Sequence, residues 1–167
     1  MIRKCTANDQ AKILAVINDA AMAYKGVIPE ECWQSPYMSE ENFKKDAEAG
    51  VEFYGYEENG ELVGVMGHQE FVDVTLIRHA YVKTEHRNKG IGSTLIKYLL
   101  SLTLKPVLVG TWRAAHWSVI FYEKHGFKLL EPESAEDLLK KYWSISERQR
   151  ETSVVLAGQK WYENIAK

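Results

Sequence analysis

The chain has 167 residues, 46% of them apolar and 26% charged, which suits one globular domain (1–167) with a sizeable core and no disordered tract. A formal net charge of -2 and an isoelectric point near 6.2 exclude a general nucleic-acid or anionic-membrane binder, so any anion site must come from local charge. Two cysteines without a paired framework, no run of membrane length and a start, MIRKCTAND, without an apolar signal core together imply a soluble cytoplasmic protein. Cys5 and Cys32 read as small buried hydrophobes.

In chain order, IRKC predicts a short strand, and Thr6 with Asp9 has the spacing of a capping box ahead of a helix. Ile13, Ile17, Ala20 and Tyr24 share one face of that helix. After an irregular stretch, KGVIPEECWQSPYM, a second helix is expected from Glu40, capped by Ser39 and stopped at Gly50. Two strands then flank Asn59-Gly60, a dipeptide that tolerates positive φ and marks a tight hairpin. VTLIRHAYVKT predicts a third long strand, and Ile91, Leu95, Leu99 and Leu102 recur at helical spacing after Gly90. Strand VLVGTW, helix SVIFYEKHG ending at Gly126, and strand FKLL follow. Ser134 and Asp137 give a second capping-box spacing, with Leu138, Tyr142 and Ile145 on one helical face, and SVVLAG predicts a last strand. Strand–helix–strand segments of this kind imply an α/β fold with a partly parallel sheet.

The segment HRNKGIGSTL places a glycine-bearing loop between a strand and a helix. Bare backbone N–H groups and the helix dipole meet there, and glycine lets a ligand approach without a Cβ in the way. Arg87 and Lys89 bring charge to that point, with Lys83 and His86 nearby, so the segment reads as a diphosphate cradle or as a solvated turn before a packing helix. It is not a dinucleotide fingerprint, because Leu95 stands where the third glycine belongs, and not a Walker loop, because its lysine precedes the glycines.

Together with FYEKHGF, one strand and one helix later, the segment resembles the GNAT N-acetyltransferase superfamily. Arg87, Gly90 and Gly92 match that family's acetyl-CoA loop, and Phe121, Tyr122, Gly126 and Phe127 match its following helix. The resemblance runs from residue 1 to about 132 and resumes at the last strand, leaving the helix between Ser134 and Arg150 as an insertion. It implies a GNAT-like acyl-CoA acyltransferase fold, a central mixed sheet with splayed parallel strands and flanking helices. It also implies acetyl-CoA as co-substrate and a small-molecule or peptide amine as acceptor, with a homodimer possible and neither nucleic acid nor membrane as partner.

By similarity, Ala80, Tyr81 and Val82 offer backbone to the pantetheine arm, and Arg87, Asn88, Lys89, Gly90, Ile91, Gly92 and Ser93 wrap the pyrophosphate. Tyr122 matches the position that protonates the departing thiolate. Ala115 stands where the family often has a cofactor-contacting asparagine; Arg113 or Lys124 would have to supply the missing polar contact. Trp33, Trp112 and His79 are candidate acceptor residues, while His68, Glu70 and His116 are further polar groups from which no general base stands out. No histidine has ligand spacing, so no metal is expected. Two rival readings are a CoA-binding regulatory module without chemistry and a nucleotide-binding domain using the same loop.

Overall fold

The second and third strands meet at a two-residue turn in which Asn59 (φ 50°) and Gly60 (φ 79°) both take left-handed backbone, as a twisted hairpin requires. The structure, a computed structural model, describes residues 1–165. Its strands and helices form the expected α/β class and cluster into two compact units. One unit comprises Met1–Ala23 and Gln34–Leu104, the other Tyr24–Trp33 and the chain from Lys105 on.

In the first unit, β1 (Ile2–Lys4), β2 (Val51–Glu58), β3 (Glu61–Glu70) and β4 (Thr75–Val82) pair antiparallel in chain order. The Thr6–Asp9 box closes on a short 3-10 turn, Ala7–Asp9, from which α1 (Gln10–Ala20) continues. Ile13, Ile17 and Ala20 form the buried stripe of α1, which packs on β3 and β4. Tyr24 is buried too, but it belongs to the other unit and ends a separate 3-10 turn, Ala21–Tyr24. Asn18 clamps Met38 twice, accepting from its N–H (2.8 Å) and donating to its carbonyl (3.1 Å). This brings the irregular loop back to α1 just before Ser39 caps α2 (Glu40–Glu48) through the Asn42 N–H.

Helix α3 (Ile91–Ser101) buries Ile91, Leu95, Ile96 and Leu99. It crosses so close to the sheet at Gly64 that a Cβ there would stand 2.8 Å from Ile91 Cγ2. Gly64 pairs with Val82, so this approach seats the start of α3 at the end of β4. Leu102, expected on the apolar stripe, is instead the residue capping the helix and is 41% exposed, because the chain leaves the helix there.

In the second unit, β5 (Val107–Trp112) and β6 (Lys128–Leu129) both pair antiparallel with β7 (Ser153–Ala157). α4 (His116–Lys124) ends at Gly126 (φ 86°), after which the Phe127 N–H donates back to the Tyr122 carbonyl. The expected inserted helix is two. α5 (Pro132–Tyr142) begins at Pro132 rather than Ser134, since proline suits a first helical turn where its missing N–H costs nothing. Its buried face is Ala135, Leu139 and Tyr142, and Ile145 lies beyond it. α6 (Glu147–Glu151) has its own capping box, Ser146 with Gln149. A further short helix, α7 (Gln159–Ile165), was not expected. Among the described residues no helix is long and apolar enough to cross a membrane. Cys5 and Cys32 are only half-buried; desolvation pushes the Cys5 thiol up to about 11, which leaves it an inert packing group.

Candidate active site

The first unit builds the loop that the sequence singles out. After β4, a 3-10 turn (Thr84–His86) leads into Arg87, and the Thr84 N–H donates to Asp19 Oδ2 at 2.7 Å, anchoring the turn to α1. Asn88 (φ 63°) and Gly90 (φ 79°) carry the left-handed backbone, and Gly90 is the N-cap of α3 with no capping side chain over the helix end. The first turn of α3 therefore presents its amides and the positive end of its dipole at an exposed loop. Gly92 differs from Gly90: it lies inside the helix, outside the positive-φ set, so no backbone angle demands glycine there. Glycine in a helix costs about 1 kcal/mol relative to alanine. What it offers at this place is the absence of a Cβ beside the helix amides.

The charge around the loop is less than the sequence suggests. Lys83 Nζ lies 2.6 Å from Glu61 and His86 Nδ1 3.1 Å from Glu58, so both are occupied by neighbouring carboxylates. Arg87 donates from Nη2 to the Ala20 carbonyl at 3.2 Å, which holds its guanidinium at the end of α1 beside the loop. Lys89 stands exposed in the loop itself. Ala80, Tyr81 and Val82 are half-buried at the end of β4, with Tyr81 and Val82 in register with Val65 and Gly64.

The same strand carries His79, and the structure gives it a partner that sequence spacing does not reveal. His79 Nε2 lies 2.7 Å from Asp46 Oδ2 on α2, and Arg78 Nη2 lies 3.5 Å from Asp46 Oδ1. Burial pushes the His79 imidazole below its ordinary value against the raising effect of Asp46. Asp46 itself feels burial as a raising influence, yet the His79 hydrogen bond and the charges of His79 and Arg78 hold it below the usual carboxylate range. His68, also considered from sequence, is buried on β3 with Nε2 3.0 Å from Glu70 Oε1 and its ring edge-on to Tyr54.

In the second unit Tyr122 lies buried on α4, with Phe121 (centroids 5.1 Å) and Phe127 (5.7 Å) both T-shaped to its ring. Burial, then the proximity of Tyr24, pushes its phenol well above the ordinary value, so it stays protonated at neutral pH. Ala115, fully buried, is the N-cap of α4 and provides no capping bond. A cavity of about 540 Å³ opens beside it, with Trp112, Arg113 and His116 on one side and Val27, Ile28 and Pro29 on another. Arg148 and Thr152 line it as well, and Arg148 donates from Nε to Glu31 Oε1 at 2.6 Å. Trp112 thus lines a cavity; Trp33 is half-buried and is not one of its lining residues. Glu31 and Arg148 carry no motif, and they meet across 117 positions of sequence. Among the described residues no group of three or more histidines, cysteines or carboxylates could hold a metal ion.

A strand here runs through a left-handed loop into a helix N-terminus that no side chain caps, with an arginine and a lysine beside it, and free amides at a helix start suit an anion. Residues 14–141 match the family model described as the acetyltransferase (GNAT) domain, and the chain belongs to that family. It is 28% identical over 123 residues to the UPF0157 protein YqkA of Bacillus subtilis (strain 168), a match covering 71% of this chain and 36% of that protein. The chain thus spans about a third of that relative's length. The PaiA N-acetyltransferase of Thermoplasma acidophilum, solved in complex with coenzyme A, is similar in fold (TM-score 0.65, 18% identity, 95% of this chain and 97% of that one). So is a GNAT-family acetyltransferase of Staphylococcus aureus Mu50 (TM-score 0.70, 14% identity, 95% and 97%).

Proposed function

We propose that the chain transfers an acetyl group from acetyl-CoA to a primary amine, by direct attack in a ternary complex. The observation that carries this reading is the start of α3: a left-handed, uncapped glycine, a helical glycine with no backbone need to be one, and Arg87 and Lys89 beside them. Arg87 to Ser93 would hold the CoA pyrophosphate by backbone N–H groups and charge, and Ala80, Tyr81 and Val82 would offer backbone to the pantetheine arm. The coenzyme supplies the activated thioester; the chain's task is to bind, orient and move protons.

Thiolate departure needs a donor. A phenol near 10 and a thiol near 8.5 make full proton transfer uphill by ~2 kcal/mol, and burial of Tyr122 enlarges that gap. Tyr122 therefore acts as a hydrogen-bond donor to the departing sulfur, and it assists the reaction without being indispensable. The cavity at Trp112 is the acceptor chamber in this reading, with Trp33 as a further acceptor contact.

Thiol release from acetyl-CoA, measured against a panel of small amines, amino acids and peptides, tests the assignment alongside CoA titration by calorimetry. Transfer to one class of amine is expected. CoA binding with silence across the panel would favour a regulatory CoA-binding module, and ATP or NAD displacing CoA would favour a nucleotide site.

A further inference from the structure

The ladder between β3 and β4 slips beside His79. Val65 pairs with Tyr81 and Gly67 with Arg78, so two residues of β4, His79 and Ala80, oppose Met66 alone. This is a bulge, and bulges re-aim side chains. His79 takes φ 54°, a left-handed conformation uncommon for a residue with a Cβ, and its neighbours hold it there. The result is an imidazole laid over Phe53 (centroids 5.9 Å, interplanar 21°) with Nε2 against the Asp46 carboxylate.

Asp46 is fixed in turn. Arg78 reaches its second oxygen, while Arg78 Nη1 donates to Gln69 Oε1 at 2.9 Å and Gln69 Nε2 donates to the Ala49 carbonyl at 3.0 Å. A carboxylate only accepts, so Nε2 must carry the hydrogen, and the Nδ1 lone pair of a neutral ring is then the basic one. The charged groups facing the ring are Asp46 from α2 and Arg78 from β4; the β2 neighbour, Phe53, is uncharged. The side chain keeps 19% of its surface exposed.

We propose that His79 is the general base of the transfer, taking the amine proton on Nδ1, with Asp46 as the positioning residue that holds its tautomer. This rests on the acetyl-transfer reading above. In the step, the amine nitrogen attacks the thioester carbonyl carbon and the C–N bond forms. The C–S bond breaks with its electron pair on the CoA sulfur. The amine proton passes to His79 Nδ1 and later to water, and the thiolate takes its proton from solvent. The bulge is the device that makes this possible, since an unbroken pleat would not turn residue 79 toward α2.

The test uses the full chain with an amine identified in the panel, and the variants His79→Asn and Asp46→Asn. Asparagine tolerates the left-handed backbone at position 79 but cannot take the proton. His79→Asn is expected to lose 100-fold or more in kcat, within the usual range for a general base, with CoA affinity within twofold of wild type. The wild-type rate should fall on the acid side as the ring protonates, with the midpoint below the ordinary histidine value of about 6.5. His79→Asn should lose that limb, and added imidazole should restore part of its rate. Asp46→Asn should lose roughly tenfold, move the limb to lower pH because a raising partner is gone, and shift the ring's 15N resonances away from the Nε2–H form. A His79→Asn enzyme with wild-type rate and an unchanged acid limb would overturn the base. An Asp46→Asn enzyme with unchanged limb and tautomer would overturn the pairing. Wild type that binds CoA and acetylates nothing would overturn the transfer reading itself, and this proposal with it.

Discussion

Two carboxylates of the first unit are each held by basic neighbours, and only one of them has an imidazole among those neighbours. Asp9 accepts from both Arg3 Nη groups at 2.8 Å and from the Thr6 N–H at 2.8 Å, while Arg3 Nε turns to Glu57 at 2.7 Å. Every group in that cluster faces a strong partner, and the Arg3 bond, then the Thr6 N–H, hold the Asp9 carboxyl far below its usual range. Asp46 is held less tightly, with His79 Nε2 at 2.7 Å and Arg78 Nη2 at 3.5 Å, and its nearer partner is an imidazole, whose second nitrogen Asp46 does not use. A closed network of charges stabilises; a network with one open valence can also react. The same distinction separates the closed Asn59-Gly60 turn from the open Gly90 helix end.

Removing the closed network should give the largest effect, and on stability alone. Asp9→Ala strips three charge-assisted bonds and leaves Arg3 with Glu57, so the protein should lose about 2–3 kcal/mol in urea unfolding while CoA affinity holds. The Asp9 contribution is present above the unfolded carboxylate value of about 3.9 and is lost as pH falls toward the depressed folded value. The gap between wild type and Asp9→Ala should therefore shrink between pH 5 and pH 2 (about the range of that titration). A gap independent of pH would mean that Asp9 acts by packing.

At the open end of α3, Gly92→Val should weaken CoA by about 2 kcal/mol, roughly 30-fold, through loss of charge-assisted bonds to the helix amides. The fold should hold, because valine suits a helix interior better than glycine. Calorimetry with unchanged affinity would return this loop to the closed class. Tyr122→Phe should be smaller, about tenfold in kcat (~1.4 kcal/mol), with CoA affinity unchanged, since the hydroxyl acts only as the thiolate leaves. A fall in CoA binding with level kcat would make it a cofactor contact instead. Lys89→Ala should be smallest, less than about fivefold in CoA affinity and fading with added salt, as for any exposed charge. A loss that persisted at high salt would mean a direct, desolvated contact.

What the sequence determined by itself is local. The Thr6–Asp9 and Ser39 caps, the Asn59-Gly60 turn, the glycine that opens α3 and the stop at Gly126 depend on backbone angles and bonds a few residues apart. Motif order then extended local signals to a family, which the match over residues 14–141 shows. α5 starts at Pro132 and not at Ser134, because the two compete within one turn and proline suits the first helical position.

Only the tertiary structure decided which charges are free. Lys83 and His86 look like part of the cradle in sequence, and they are occupied because the β2–β3 hairpin brings Glu58 and Glu61 beside them. Asp46 and His79 lie 33 positions apart and meet because a bulge turns one strand residue toward a helix. Glu31 and Arg148 meet from opposite ends of the chain. Hydrophobic periodicity and capping are carried by neighbours in sequence, whereas the pairing of a charge depends on which remote group folding sets within about 4 Å of it.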